Sequence, residues 1–236
     1  MLNESIELFN YKTSKFLFIV AEKEEIEHIL KTHTWIENED NLITIYSNKT
    51  SNSIDILITG VGKINAGINF NKIPNDYYEH IINIGTAGSL NPDHNIGDIF
   101  IINNAAYHDV DLRILPNYKK GQLPNMPQMY SVNKNEIEFI TKHIKDVDNT
   151  NILTGDTFVF DSQILDGFDN AFNLVDMESC ALLQTNLLYN NQYNLSIVKI
   201  VSDIIVNKNN SLTYKESLNL CSEKISAIIQ YFMNLK

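Results

Sequence analysis

The feature that most constrains the fold is a buried-looking strand near the carboxyl end of the chain, over 195–201. Its residues are almost all apolar or β-branched, which is typical of a central parallel strand covered on both faces. Such a strand delivers the residues that follow it to the carboxyl edge of the sheet, where open α/β folds bind their ligands. Here those residues are Ser202 and Asp203. The sequence therefore predicts an α/β fold with a carboxylate at its ligand-binding edge.

Asp203 lies between Val201 and Ile204, so we expect its side chain to be shielded from water. Burial without a partner raises the pKa of a carboxyl group, and an acid that keeps its proton near neutral pH can donate it. The alternative is a strand-end Asp that caps the next turn. The residue alone does not decide between the two roles.

Size and charge narrow the class of protein. A chain of 236 residues suits one large α/β domain. The net charge of −11 disfavours nucleic acid and anionic membranes as partners. The apolar run over 16–21 is too short for a signal sequence or a membrane span. Cys180 and Cys221 form no CxxC motif, which favours a reduced, cytoplasmic setting.

Strands and helices are predicted to alternate along the chain. Hydrophobic periodicity indicates strands over 16–21, 42–47, 54–59, 80–84, 99–102, 152–160, 173–176 and 195–201, and helices over 22–30, 64–71, 135–147, 177–188 and 213–234. The small residues over 85–88 predict a tight turn whose amides face a ligand. The segment over 112–130 is rich in proline and has no periodicity, so it predicts a long irregular loop.

Two motifs suggest a cofactor or a metal but fit neither. Gly60 and Gly62 follow a strand and open a helix, but Asn65 stands where the GxGxxG fingerprint has its third glycine, and the GK[ST] ending of an ATP-binding loop is missing. The segment over 107–111 combines one histidine with two aspartates, but the other histidines are scattered along the chain. We therefore expect neither a cofactor nor a metal site.

Two further carboxylates stand at the starts of helices. Glu178 follows the strand over 173–176 and opens a helix that is apolar on nearly every side, where an unpartnered carboxylate is costly. Glu24 and Glu25 lie in the first turn of an earlier helix, where the helix dipole favours anions. For these two, a solvated helix start is the alternative to a functional role.

Eight short motifs follow one another along the chain: 60–66 (GVGKINA), 84–88 (IGTAG), 96–99 (IGDI), 107–111 (YHDVD), 121–124 (GQLP), 155–159 (GDTFV), 175–178 (VDME) and 201–203 (VSD). In order and spacing, the chain resembles the 5′-methylthioadenosine/S-adenosylhomocysteine nucleosidases, which have the purine nucleoside phosphorylase fold. The resemblance implies a three-layer single domain over 16–236, with a mixed, partly barrel-like sheet between helices. It leaves 1–15 as an N-terminal extension and implies a homodimer.

The resemblance also implies residue roles in cleaving the N-glycosidic bond of an adenine nucleoside with water. Asp203 matches the acid that protonates adenine N7, Glu25 the base that takes a proton from water, and Glu178 the acceptor of the ribose hydroxyls. The remaining matches are Met177 beneath the sugar, Phe158 stacked on adenine, the Val159 backbone at the edge of the base, Ser202 orienting Asp203, and Thr86, Ala87 and Gly88 on the sugar and water side.

Three positions depart from the family pattern or match it loosely. Lys199 stands where the family has an arginine near the water, which keeps the charge but loses the fork geometry. The loop after Asp111, which in the family shapes the pocket for the 5′ substituent and reaches the partner subunit, is one residue longer. Tyr214 lies where an aromatic residue closes over base and sugar.

Three rival functions remain open. A phosphorylase of the same fold needs arginine forks for phosphate, and Arg113 is the only arginine of the chain. A nucleoside-binding protein without catalysis has no use for Asp203 together with Glu25. A nucleosidase for another adenine nucleoside, such as aminofutalosine, differs only in its 5′ specificity, which depends on the irregular loop.

Overall fold

The computed structural model describes residues 16–40, 43–48, 54–160, 168, 171–206 and 213–235. The predicted N-terminal extension lies outside the described residues. The elements, in chain order, are β1 (Phe16–Val20), a 3₁₀ helix (Lys23–Ile26), α1 (Glu27–Thr32), β2 (Trp35–Asp40), β3 (Ile43–Asn48), β4 (Ile54–Ile58), α2 (Lys63–Phe70), β5 (His80–Ser89), β6 (Ile99–Tyr107), β7 (Tyr130–Ser131), α3 (Lys134–His143), β8 (Asp148–Thr154), β9 (Phe172–Asp176), α4 (Ser179–Leu188), β10 (Leu195–Ile204) and α5 (Tyr214–Met233).

The described strands form one mixed sheet that closes on itself in part. Along the sheet the order is β10-β6-β8-β9-β5-β1-β4-β3-β2, and β10 also pairs with β5. The second pairing closes the ring β10-β6-β8-β9-β5, so five strands make a barrel-like core. Strands β1, β4, β3 and β2 extend from it as an open sheet, and β7 pairs with β6. The predicted fold class, an α/β domain with a mixed, partly barrel-like sheet flanked by helices, is confirmed.

Two apolar clusters hold helices on the two sides of the sheet. One cluster joins α2 and α4 to the sheet, and the other joins α1, α3 and α5. Every residue of β1 is buried, as its uninterrupted apolar sequence requires. Each fully buried Phe or Ile contributes about 1.5–3 kcal/mol of transfer free energy. Among the described helices, none is long and apolar enough to cross a bilayer.

The predicted turn over 85–88 is wrong, because β5 runs on through Gly88 to Ser89. Parallel pairing with β10 continues along this stretch, with Lys199 opposite Gly85 and Asp203 opposite Gly88. The small residues make room for functional side chains. A Cβ on Gly85 would stand 2.8 Å from Glu25 Oε1, and one on Gly88 would stand 3.3 Å from Asp203 Oδ2.

The predicted strand over 152–160 is wrong beyond Thr154, where β8 ends. The amide of Gly155 donates to the carbonyl oxygen of Asp176 at 3.2 Å, and the chain then leaves the sheet. The segment over 155–160 is therefore a loop, which carries Phe158 to the surface. Strand β2 escaped prediction because its polar sequence, WIENED, lacks an apolar alternation, and it pairs antiparallel with β3 at one end of the sheet.

Candidate active site

A cavity of about 290 Å³ opens at the carboxyl ends of β1, β5, β9 and β10. Its lining includes most of the residues predicted for the site: Glu25, Thr86, Ala87, Gly88, Phe158, Val159, Met177, Glu178, Ser202 and Asp203. These residues come from five separate segments of the chain. The fold therefore places residues that are far apart in the sequence around one cavity.

Glu25 is the buried member of the Glu24–Glu25 pair, and Glu24 is exposed. Its Oε2 accepts a hydrogen bond from the amide of Ala21 at 2.9 Å, and its Oε1 accepts from the amide of Thr86 at 2.8 Å. The Thr86 hydroxyl lies 3.2 Å from the same Oε1. Glu25 is therefore fixed between the end of β1 and β5.

Asp203 lies in β10, half-buried, and its main partner is its neighbour. The Ser202 hydroxyl lies 2.8 Å from Asp203 Oδ1 and 3.3 Å from the carbonyl oxygen of Ala87. Burial raises the pKa of Asp203, and the hydrogen bond from Ser202 opposes this shift more weakly. The side chain therefore keeps its proton to a higher pH than an ordinary Asp, as a general acid must.

Glu178 is the residue that immediately precedes α4, and it is buried. Its Oε1 accepts a hydrogen bond from the amide of Gly62 at 2.9 Å, at the start of α2. Burial raises the pKa of Glu178 to about 7, and the nearby carboxylate of Asp176 contributes to the rise, while Lys199 and the Gly62 amide oppose it. Glu178 is thus a carboxylate whose charge changes close to neutral pH.

A buried ion pair lies next to these carboxylates. Of its two residues, the sequence predicted only Lys199 as part of the site. Lys199 Nζ lies 2.9 Å from Asp176 Oδ2, and the two side chains are 2% and 1% exposed. Burial lowers the pKa of Lys199, but Asp176, Glu178 and Glu25 together outweigh burial and raise it. Lys199 therefore stays a cation among three carboxylates.

Asp176 is held by several donors, and sequence reasoning missed it. The Thr154 hydroxyl donates to its Oδ1 at 2.6 Å, while the amide of Ser179 donates to Oδ2 at 3.0 Å and the Ser179 hydroxyl bonds the same oxygen. The available signal was its position at the end of a buried strand, the argument that singled out Asp203. The sequence did not show that its partner would be Lys199.

The side of the cavity that was predicted to contact the base is only partly built from the predicted residues. Phe158 is 65% exposed, whereas Val159 is buried beside it. Tyr214 is the first residue of α5, but its side chain lies outside the described residues. Leu218, one turn further along the same helix, lines the cavity and was not predicted. The start of α5 therefore does lie at the site.

The arginine that suggested a phosphate site lies elsewhere. Arg113 Nε and Nη2 bond the two carboxylate oxygens of Asp111 at 2.8 and 2.6 Å in the loop after β6, and Arg113 does not line the cavity. Within the parts of the chain that the structure describes, no three His, Cys, Asp or Glu side chains are grouped so that they could hold a metal ion.

Comparisons with a family model and with known relatives point to the same family. The family model described as "Phosphorylase superfamily" matches residues 15–234. A 5′-methylthioadenosine/S-adenosylhomocysteine nucleosidase of Buchnera aphidicola is 33% identical over 234 residues, covering 93% of this chain and 97% of the relative. The nucleosidase of the same name from Staphylococcus carnosus is 28% identical over 217 residues, covering 88% of this chain and 87% of the relative.

Solved structures show the same fold. The nucleosidase of Colwellia psychrerythraea in complex with adenine superposes with a TM-score of 0.80 at 22% identity, covering 94% of this chain and 95% of that chain. That of Neisseria meningitidis in complex with methylthio-immucillin-A gives 0.77 at 23% identity, covering 94% and 100%. From the family model and the Buchnera relative together, the chain belongs to the 5′-methylthioadenosine/S-adenosylhomocysteine nucleosidase family of the phosphorylase superfamily.

Proposed function

We propose that this protein hydrolyses the N-glycosidic bond of 5′-methylthioadenosine and S-adenosylhomocysteine, releasing adenine and the 5-thio-substituted ribose. The observation that carries the proposal is one cavity lined by Asp203, with its raised pKa, and by Glu25, a firmly held acceptor. An acid for the leaving base and a base for water are the two groups that this reaction needs. The substrates are those in the names of the relatives.

The bond breaks from the purine side. Protonated Asp203 donates its proton to adenine N7, so that the base leaves as a neutral molecule and not as an anion. Positive charge then develops on the ribosyl ring as in other glycoside cleavages. Ser202 holds the acid in place through Oδ1, while Phe158 and Val159 flank the base.

Water completes the reaction at the sugar. Glu25 takes a proton from the attacking water, with Thr86 fixing its Oε1. Glu178 accepts hydrogen bonds from the ribose hydroxyls, and Met177 packs beneath the sugar. Lys199 is too buried to bind a phosphate ion. Its positive charge instead offsets the repulsion between the carboxylates of Asp176, Glu178 and Glu25.

Water is favoured over phosphate as the nucleophile. A phosphate site calls for arginine forks, and the single arginine of the chain is engaged with Asp111 outside the cavity. The test is a panel of methylthioadenosine, adenosylhomocysteine, adenosine and inosine, assayed for free base with and without phosphate. We expect phosphate-independent release of adenine from the two thio-nucleosides. Strict dependence on phosphate would assign a phosphorylase, and a preference for another adenine nucleoside such as aminofutalosine would change the substrate.

We also propose that the protein is a cytoplasmic homodimer with one nucleosidase domain over 16–236, acting in methionine salvage. Supporting the dimer, Ile64 and Ile68 are exposed one turn apart on α2, and Ile64 is 71% exposed. Ile114 is exposed in the loop after β6. Sedimentation of the purified protein is expected to give twice the mass of one chain. The Ile64→Glu variant is expected to give a mass closer to that of a single chain. A monomeric wild type would contradict the dimer.

A further inference from the structure

Three charged residues of the sequence motifs have no role in the proposed chemistry, yet their side chains meet in one place. Lys63 opens α2, Asp109 follows β6, and Asp156 lies in the loop after β8. Lys63 Nζ lies 2.6 Å from Asp109 Oδ2 and 3.5 Å from Asp156 Oδ2. The side chains of Lys63 and Asp109 are only 22% and 19% exposed, so solvent screens this pair less than a surface pair.

Backbone hydrogen bonds make the contact more than an ion pair. The amide of Lys63 donates to Asp156 Oδ1 at 2.8 Å, and the amide of Asp156 donates to Asp109 Oδ2 at 2.9 Å. The Lys63 ammonium also lies 5.2 Å from the centre of the Tyr107 ring. Burial opposes ionisation of Asp109, but the bonds from Lys63 and the Asp156 amide outweigh burial and lower its pKa. The three side chains therefore lock three segments together.

Two of these segments carry groups of the active site. Gly62, immediately before Lys63, donates its amide to Glu178. Asp156 lies two residues before Phe158 in the base-flanking loop. Gly62 has φ 98°, and a Cβ there would stand 3.1 Å from Asp156 Oδ1, so the loop is packed directly against the start of α2.

We propose that Lys63, Asp109 and Asp156 form a positioning cluster that sets the distance between the ribose-binding carboxylate and the base-flanking loop of the purine nucleoside site. This inference rests on the proposed function, since it takes Glu178 and Phe158 to bind the two halves of one ligand. The three residues are not part of the cavity lining that the structure describes. They act through Gly62 and through the loop, and Asp203 and Glu25 are held by other contacts.

This arrangement predicts a specific kinetic pattern. Asp109→Asn weakens the bond to Lys63 and leaves the general acid and base in place. We expect KM for the nucleoside to rise about tenfold or more, with kcat within about threefold of wild type, because binding groups move and reacting groups do not. Lys63→Met should show the same split, and Lys63→Arg, which keeps the charge, should restore most of the affinity.

Asp111→Asn is the matched control, because Asp111 lies in the same motif, carries the same charge and pairs with Arg113 instead. Calorimetry with adenine and with a non-hydrolysable thio-nucleoside measures how the cluster affects binding affinity in the absence of turnover. The nucleoside should lose affinity in Asp109→Asn but not in Asp111→Asn. In Asp109→Asn/Glu178→Gln the two losses should be less than additive.

The proposed role of the cluster would be overturned if Asp109→Asn bound the nucleoside as tightly as wild type does. It would also be overturned if Asp111→Asn lost as much nucleoside affinity as Asp109→Asn. If Asp109→Asn does not fold, Lys63→Met and Lys63→Arg decide the question in the same assays. If the wild-type protein binds the nucleoside but releases no adenine, the proposed hydrolysis is wrong. The binding results for the cluster would still stand on their own.

Discussion

Raising the pH is expected to destabilise this fold through Glu178. Burial raises the pKa of this carboxyl group from 4.5 to about 7, with Asp176 adding to the rise. Between those pH values the folded state holds a proton that the unfolded state has released, so the stabilising contribution is complete below pH 4.5 and is lost as the pH rises through 7. At about 1.4 kcal/mol per pK unit, the loss amounts to about 3 kcal/mol.

Urea unfolding at about pH 5 and about pH 8 measures this loss. Trp35, the only tryptophan, is a usable fluorescence probe because its indole nitrogen donates to the carbonyl oxygen of Ile29 at 3.1 Å. Glu178→Gln keeps an acceptor for the Gly62 amide but cannot titrate. Because part of the contribution is already lost at about pH 5, its difference in unfolding free energy between the two pH values should be smaller than that of wild type by about 2.5 kcal/mol.

Glu24→Gln is the control, because it makes the same Glu-to-Gln change at an exposed position. Parallel pH dependences for wild type and Glu178→Gln, within about 1 kcal/mol, would refute the reasoning that burial controls this group.

Three further substitutions test other parts of the site. Lys199→Met leaves Asp176 buried without its cation and should cost about 3–5 kcal/mol of unfolding free energy in urea, whereas a cost below about 1 kcal/mol would show that water reaches the pair. Gly85→Ala places a Cβ 2.8 Å from Glu25 Oε1 and should lower kcat about a hundredfold while adenine still binds; an unchanged kcat would mean that the position of Glu25 does not matter. Phe158→Ala should raise KM by about tenfold or more, in line with the loss of one base-stacking contact worth ~1–3 kcal/mol. An unchanged KM for this variant would remove Phe158 from the base site.

Local pattern was enough to predict most of the strands and the burial of several residues. The apolar run over 195–201 predicted a buried parallel strand, and the run over 16–21 predicted a strand. Both are buried strands, and β10 runs parallel to β5 but antiparallel to β6. The burial of Asp203 and the raised pKa that it causes were also predicted from neighbouring residues, and both are confirmed in direction. These properties depend on composition within a few residues, which is the information that a sequence displays directly.

What escaped prediction depends on contacts between distant segments. The small residues of 85–88 have a turn-like composition, but closure of the barrel keeps them in β5 beside β10. The pairing of Lys199 with Asp176, and that of Lys63 with Asp109, join residues far apart in the chain. Neither pair has a spacing signal, because each forms only when distant segments of the chain meet in the folded protein.

The most direct test of the proposed reaction is the rate of adenine release from methylthioadenosine by Asp203→Asn in phosphate-free buffer, with binding of a substrate analogue measured in parallel. Loss of the general acid should lower the rate about 10²–10⁴-fold. Binding should stay within a few-fold of wild type, because an asparagine side chain keeps the size and polarity of the aspartate that it replaces. Release at the wild-type rate, or an equal loss of binding and turnover, would contradict the assignment of Asp203 as the proton donor.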